Sequence, residues 1–370
     1  TVSSGKINLL GLPREQMEEL FAEWGEKPFR ARQVMKWIYA RGQNDFEEMT
    51  DLAKSLRVRL GEMAEVRPPE IVSRHDSIDG TVKWALRAGA EQAIEMVFIP
   101  EESRGTLCIS SQVGCALDCS FCSTGAQGFN RNLTSAEIAG QVWLARKELG
   151  AGASTADRVI SNVVLMGMGE PLANYRAVVP AIKVMLDDYG FELSRRRVTL
   201  STSGLVPQIN KLAEDCNVAL AVSLHAGNDT LRDELVPINR RHPIKELLEA
   251  CWSYARLYSN RQITFEYTML AGVNDTVEHA IQLARLLKNR PAKVNLIPFN
   301  PFPGTRYTRS PQATIDRFRQ VLVDHGIITI TRRTRGDDID AACGQLAGKV
   351  NDRIRVRLGS KMISVSVQNQ

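Results

Sequence analysis

Cys115, Cys119 and Cys122 stand in one short run with the spacing Cys-x3-Cys-x2-Cys. Three thiolates converging on one loop can ligate a [4Fe–4S] cluster, and three ligands rather than four leave one iron open to a substrate or cofactor. Two other chemistries fit the same residues. A structural zinc would seek a fourth ligand in closed tetrahedral geometry, and Cys119 with Cys122 alone forms a CxxC pair able to cycle as a disulfide. Zinc sites ordinarily use two separated pairs and no second pair follows, so the spacing favours the cluster.

A loop of this kind needs a rigid frame, and the chain from Thr106 onward supplies a repeating one. Strand-like runs at Leu107–Ser110, Val159–Met166, Val198–Thr202, Val218–Leu224, Ile263–Met269 and Val294–Pro298 are each followed by a helical pattern. Those helices are expected near Ser135–Leu149, Tyr175–Tyr189, Leu205–Asp215, Ile244–Tyr258, Val277–Lys288 and Thr314–His325. Alternation of this kind implies parallel strands joined by right-handed crossovers, an α/β partial barrel with its site at the carboxyl ends of the strands. The cysteines follow the first of these strands. GMGEP, STSG, SLHAGND and IPFNPFPG break off at the same end after later ones, as a ligand-holding rim or as ordinary turns.

Upstream, Met17, Leu20, Phe21 and Trp24 recur at helical spacing, as do Val34, Trp37 and Ile38, and predict a small helical module. Pro68 and Pro69 close it, and two strands, Thr81–Leu86 and Ala93–Ile99, lead into the barrel. The expected divisions are a helical accessory domain over 1–70, a strand extension over 71–100, the barrel over 101–335 and a terminal segment over 336–370. The 370 residues are 44% apolar and carry 47 Lys and Arg against 42 Asp and Glu, a net charge of +5 that permits a nucleic-acid partner without requiring one. Seven unevenly spaced cysteines fit a disulfide framework poorly, and neither an export signal nor a membrane span is legible, so the reading is a soluble cytoplasmic protein; a monomer is expected.

The cysteine spacing, with Phe121 inside it and a partial barrel around it, resembles the signature of the radical S-adenosylmethionine (radical SAM) superfamily. SSQVGCALDCSFCSTGAQGFNRNLTSAEI, VLMGMGEPLANY, LSTSGL, VSLHAGNDTLRDELVPIN, VNLIPFNPFPG and TRRTRGDDIDAACGQLAG together are similar to the RlmN/Cfr-type family of RNA adenine methyltransferases, in order from about residue 71 to 350. The helical module resembles that family's accessory domain. The resemblance implies one [4Fe–4S] cluster per chain on the three cysteines and two molecules of S-adenosylmethionine consumed per turnover. It also implies methylation of adenine C2 in large-subunit (23S) ribosomal RNA and beside the anticodon, at position 37, of certain transfer RNAs. The adenine-C8 branch of the family remains the alternative. A non-catalytic, zinc-containing RNA-binding protein is the alternative of another class.

Cys343, in GDDIDAACGQLAG, reads by itself either as a buried small residue or as a thiol on a mobile loop. Cys108, in TLCISS, faces away from Leu107 and Ile109 and by itself reads as a core cysteine. Glu95, between Ile94 and Met96, reads as solvent-facing or as buried for a purpose. An aromatic adenine carbon is electrophilic, so carbon carried first on a protein sulfur and delivered as a radical would solve the transfer. The resemblance makes Cys343 that methylated sulfur. It makes Cys108 the thiol that attacks Cys343 and leaves a transient disulfide needing an external reductant, and Glu95 a candidate proton acceptor. By the same resemblance Gly169 and Glu170 contact S-adenosylmethionine, Ser201, Ser223, Leu224 and His225 line it, and Asn300 sits near its adenine. Without it, Glu170 reads as a helix-start carboxylate and His225 as a structural histidine.

Lys27, Arg30, Arg32, Lys36 and Arg41, then Arg195, Arg196 and Arg197, then Arg332, Arg333 and Arg335 form three basic runs. Each alone is an ordinary solvated face; together they suggest phosphate contacts. A flavodoxin or ferredoxin is the kind of electron donor expected, and no membrane is. Cys216 and Cys251 fall on helical patterns and read as structural.

Overall fold

The computed structural model describes residues 5–102, 104–150, 159–257, 262–342 and 344–349. The chain begins with β1 (Ile7–Asn8) and the helices α1 (Arg14–Glu23), α2 (Pro28–Met35) and α3 (Lys54–Met63). β2 (Ala64–Glu65) pairs in parallel with β1 and ties the two ends of this helical module together. Met17 and Phe21 of α1 meet Val34 and Met35 of α2 in a core that excludes water, the apolar stripes read from the sequence.

Three antiparallel strands follow, β3 (Ile71–Asp76), β4 (Val82–Arg87) and β5 (Ala93–Glu101). The first was not expected: Val72, Arg74, His75 and Asp76 are exposed, so it lacks the apolar alternation that marks β4 and β5. The barrel proper runs β6 (Arg104–Cys108), β7 (Gln112–Gly114), α4 (Ser123–Ala126), β8 (Phe129–Asn132), α5 (Ser135–Glu148), β9 (Asn162–Leu165) and α6 (Tyr175–Leu186). It continues through β10 (Val198–Thr202), α7 (Val206–Asp215), β11 (Ala219–Ser223), α8 (Asp229–Leu235), α9 (Ile244–Arg256), β12 (Ile263–Met269), α10 (Val277–Leu287), β13 (Ala292–Pro298), α11 (Gln312–Asp324) and β14 (Ile328–Thr331).

All the large strands join one sheet in the order β14-β13-β12-β11-β10-β9-β6-β5-β4-β3. From β6 to β14 the pairings are parallel, and β5 turns the sheet antiparallel on its other side. This is the expected partial α/β barrel with a seventh parallel strand, β14, that the sequence reading left out. Its four residues, Ile-Thr-Ile-Thr, alternate half-exposed and buried at the sheet edge and give a weak signal.

Helix α5 is clamped between sheet and helical module, so Ile138 to Ala145 are all buried. Thr134 starts it with a capping box, its hydroxyl accepting from Glu137 N–H while Glu137 accepts from Thr134 N–H. Gly140 lies so close to Pro69 that a Cβ there would come within 2.5 Å of the proline ring. Trp143 donates its indole N–H to Ile38 O at 2.7 Å across the same contact. Cys216 and Cys251 are buried in the helix layer, as expected of structural residues.

Candidate active site

The carboxyl ends of the parallel strands surround a cavity of about 1320 Å³, counting its open mouth. Pleating decides which side chains reach it. In β6, Leu107 turns into the core and Cys108 into the cavity, where Val97 of β5 and Val164 of β9 are its neighbours in register. Beyond β6 the chain crosses the rim as β7 and enters the cysteine loop. Cys115 N–H donates to Gly128 O at 2.7 Å and Cys122 N–H to Cys119 O at 3.1 Å, which folds the loop back on itself before α4 begins.

Cys115, Cys119 and Cys122 all line the cavity. Burial, then the charge of Cys122, pushes the Cys119 thiol up to about 12; burial raises Cys115 and Cys122 as well. Three thiols that resist ionisation together are a donor set that needs a cation to become thiolates. Three thiols on one short loop and one cavity wall fit a positively charged iron–sulfur group.

Glu170 follows the tight turn at Gly169, whose φ of +99° and contact with Gln112 leave no room for a side chain: a Cβ would lie 2.5 Å from Gln112 Cβ. Glu170 is buried on the cavity wall, accepting from Leu172 N–H at 3.0 Å and Ser203 N–H at 2.7 Å, and its backbone N–H donates to Gln112 Oε1 at 2.8 Å. Burial outweighs these bonds and lifts its pKa to about 7. The carboxylate is thus held ready for a cationic partner, beyond its role as the cap of the short turn that follows.

His225 sits in the left-handed region at φ +59° and is buried beside Phe121, ring centres 4.5 Å apart. Its Nδ1 accepts from Thr268 N–H at 2.9 Å, which leaves Nε2 to carry the proton of a neutral ring; burial, then the nearby Arg232, pushes its pKa down to about 3. Ser201 and Ser223 also line the cavity. Arg232, fully buried, ties this rim together by donating to Leu224 O at 3.1 Å, Ser203 O at 2.7 Å, Ser223 O at 3.0 Å and Asn239 Oδ1 at 2.8 Å.

The Leu224 side chain packs into the hydrophobic core and only its backbone joins the rim. Asn300 is buried beside Thr334, its Oδ1 3.4 Å from the Thr334 hydroxyl.

Cys343 lies outside the described residues, but its flanks do not. Ala341, Ala342, Gly344 and Leu346 form part of the cavity wall. The approach is held by Asp338, which accepts from Ser77 Oγ at 2.5 Å, and by Gly336 N–H on Asp79 at 3.1 Å. The exit is held by Ser123 N–H on Gly344 O at 3.1 Å and Thr124 Oγ1 on Leu346 O at 2.6 Å, both from the helix that follows Cys122. Glu95 is neither solvent-facing nor on the cavity wall. Its carboxylate accepts from Ala347 N–H at 3.0 Å and pairs with Lys83 at 3.5 Å, so it fastens the segment that leaves position 343.

The basic runs separate. Arg332 lines the cavity, whereas Arg195, Arg196 and Arg197 precede β10 and so lie at the opposite end of the barrel. On the helical module Arg32 pairs with Glu18, and Arg41 stacks on Trp37 with 3.8 Å to the ring centre. The sequence reading passed over Ser203, Thr268 and Glu266, which line the cavity; the alternation of β12 was the available signal for the last two.

Comparison with known proteins follows the same division. Residues 7–66 match the ribosomal RNA large subunit methyltransferase N-terminal domain, and residues 109–284 match the radical SAM superfamily. The crystal structure of a radical SAM methyltransferase from Sphaerobacter thermophilus is 44% identical and superposes with a TM-score of 0.85, over 92% of this chain and 99% of that one. A domain of pyruvate-formate lyase-activating enzyme from Bacteroides vulgatus gives 16% identity and a TM-score of 0.37 over 47% of this chain and 99% of that one. SuiB from Streptococcus suis bound to S-adenosylmethionine gives 12% and 0.45 over 63% and 54%. The last two add nothing to the argument.

Proposed function

The chain belongs to the radical SAM superfamily, within the group that carries the ribosomal RNA large subunit methyltransferase N-terminal domain, and from that premise we propose that it methylates C2 of adenosine in RNA. Membership implies an iron–sulfur cluster and S-adenosylmethionine. In this reading Cys115, Cys119 and Cys122 hold one [4Fe–4S] cluster, and Gly169, Glu170, Ser201, Ser223 and His225 receive the cofactor. When bound, the cluster supplies the electron that opens S-adenosylmethionine to methionine and a 5′-deoxyadenosyl radical.

The observation that carries the proposal is a single cavity whose wall includes the three loop cysteines, Cys108 and both flanks of position 343. Cys343 gives up its thiol proton, takes a methyl group from one cofactor molecule, which leaves as S-adenosylhomocysteine, and holds the methyl as a thioether. The radical drawn from a second molecule removes a hydrogen atom from that methyl, and the carbon joins the base at C2. The C2 proton passes to a base and one electron to the oxidised flavodoxin or ferredoxin, which restores the ring. The Cys108 thiolate then attacks the sulfur of Cys343 and expels the methylene carbon, which takes up a proton as the base's methyl group, leaving a disulfide for an external thiol to reduce. Cys108 or Glu95 takes the C2 proton; Cys108 is on the wall, and Glu95 already accepts from Ala347 N–H.

The helical module over 1–70 serves as an accessory RNA-binding domain, with 71–100, 101–335 and 336–370 as extension, barrel and catalytic-cysteine segment. The substrates proposed are a 23S ribosomal RNA adenosine and the transfer RNA adenosine beside the anticodon, with flavodoxin or ferredoxin as donor, for a cytoplasmic monomer. Among the described residues no helix is long and apolar enough to cross a membrane.

The test is Cys343→Ala in the reconstituted enzyme. It is expected to form 5′-deoxyadenosine under reduction while transferring no methyl to RNA. Undiminished RNA methylation by that variant would end the thioether proposal.

A further inference from the structure

Glu266 lies within β12 between Phe265 and Tyr267, both fully buried in the helix layer. Alternation therefore turns Glu266, with Thr268, toward the barrel interior, where both line the cavity. The side chain is 3% exposed. Its Oε1 accepts from Asn295 Nδ2 at 3.0 Å, but Oε2 is buried without a hydrogen-bond donor. Arg332 Nη1 is 4.0 Å away, near enough for charge attraction and too far for a hydrogen bond. A buried carboxylate oxygen without a donor is rare unless something arrives to supply one.

We propose that Glu266 and Arg332 form a subsite that reads the amino-bearing edge of the adenine to be methylated. The inference rests on the methyltransferase reading above. A carboxylate that needs a donor, beside a guanidinium that can give one, matches an edge with an N–H group next to a ring-nitrogen acceptor. Adenine offers that pair as N6 and N7. A base drawn out of its stack into a pocket is read by such contacts. Held by N6 and N7, the ring directs C2 away from the pair and toward the rest of the cavity.

Adenine occurs in the cofactor as well as in the RNA, and the reach of Arg332 favours the RNA. Arg332 follows β14 at one edge of the barrel and reaches Met166, just beyond β9, with Nη1 3.9 Å from its sulfur. Val164, two residues before Met166, is the register partner of Cys108. Arg332 thus reaches toward the part of the wall that holds Cys108, while Glu266 is the register partner of Ser223 and its carbonyl accepts from Leu224 N–H at 3.0 Å, so the pair spans from there to the side where Ser203 and His225 meet the cluster cysteines: Cys119 Sγ is 4.0 Å from Ser203 Oγ and Phe121 packs on His225.

The experiment compares two short RNAs, one with adenosine at the target position and one with purine riboside, which lacks the amine, using reconstituted wild type, Glu266→Gln and Glu266→Asp. Wild type is expected to prefer adenosine by about 10- to 100-fold in kcat/KM, the effect of one hydrogen bond to a charged group. Glu266→Gln is expected to lose that preference to within about threefold, while Glu266→Asp, which keeps the acceptor, retains part of it. Iron content, S-adenosylmethionine affinity and Cys343 methylation without RNA should stay within about twofold of wild type in both variants. Full preference for adenosine in Glu266→Gln would overturn the proposal. So would a drop in S-adenosylmethionine affinity with the base preference unchanged, which would assign the pair to the cofactor's adenine. No product from wild type on adenosine RNA would strike the methyltransferase reading itself.

Discussion

Replacing Glu170 by glutamine should remove a pH dependence that folding creates. The carboxyl is buried, and its pKa stands at about 7 against an ordinary 4.5, a difference of about 3 kcal/mol between its two protonation states. An acid whose pKa folding raises binds its proton more tightly folded than unfolded. Its contribution to stability is fully present below pH 4.5 and is lost as pH rises through about 7. Glutamine has no such term. It can still accept one of the two N–H groups, from Leu172 or Ser203, and losing the other costs about 1 kcal/mol at every pH. Urea denaturation of the cluster-free chain, followed by tryptophan fluorescence at intervals from pH 4.5 to 8, gives the two curves. The wild type should lose about 3 kcal/mol relative to Glu170→Gln across that span. Parallel curves would refute the reasoning, because they would mean that Glu170 is no harder to ionise folded than unfolded.

Arg232→Met leaves the buried acceptors of Leu224, Ser203, Ser223 and Asn239 without their donor, and should destabilise the cluster-free chain by about 3 kcal/mol or more in urea denaturation. Cys108→Ala should stall after carbon transfer, and denaturing gels should show RNA covalently attached to protein; free methylated RNA at the wild-type rate would exclude resolution by Cys108. Glu95→Ala should release the segment held through Ala347 N–H and Lys83, so limited proteolysis beyond residue 343 should accelerate, while Glu95→Gln, which keeps an acceptor, should resemble wild type.

The features most legible in the sequence were those fixed by local spacing. Cys115, Cys119 and Cys122 fall within eight residues, and the strand and helix runs around them alternate strongly enough to give the parallel order of the sheet. Side-chain direction was less legible. Leu224 adjoins Ser223 and His225 in sequence, but it turns into the core while they meet the cavity. Charge runs carry no topology, so Arg195 to Arg197 resembled Arg332 until the fold put them at opposite ends of the strands. Glu266 was passed over because one acidic residue in an apolar strand is conspicuous only once both neighbours are seen to be buried on the other face. The contact of Glu95 with Ala347, 252 positions away, is one that no local pattern reveals.

The measurement that tests the central claim most directly is nucleoside analysis after reaction. Reconstituted enzyme, reductant, methyl-labelled S-adenosylmethionine and unmodified ribosomal or transfer RNA are incubated anaerobically, and the RNA is digested and resolved by mass spectrometry. The account predicts labelled 2-methyladenosine. Label at C8 would contradict the C2 assignment, and unlabelled RNA alongside active cofactor cleavage would contradict methyl transfer to RNA altogether.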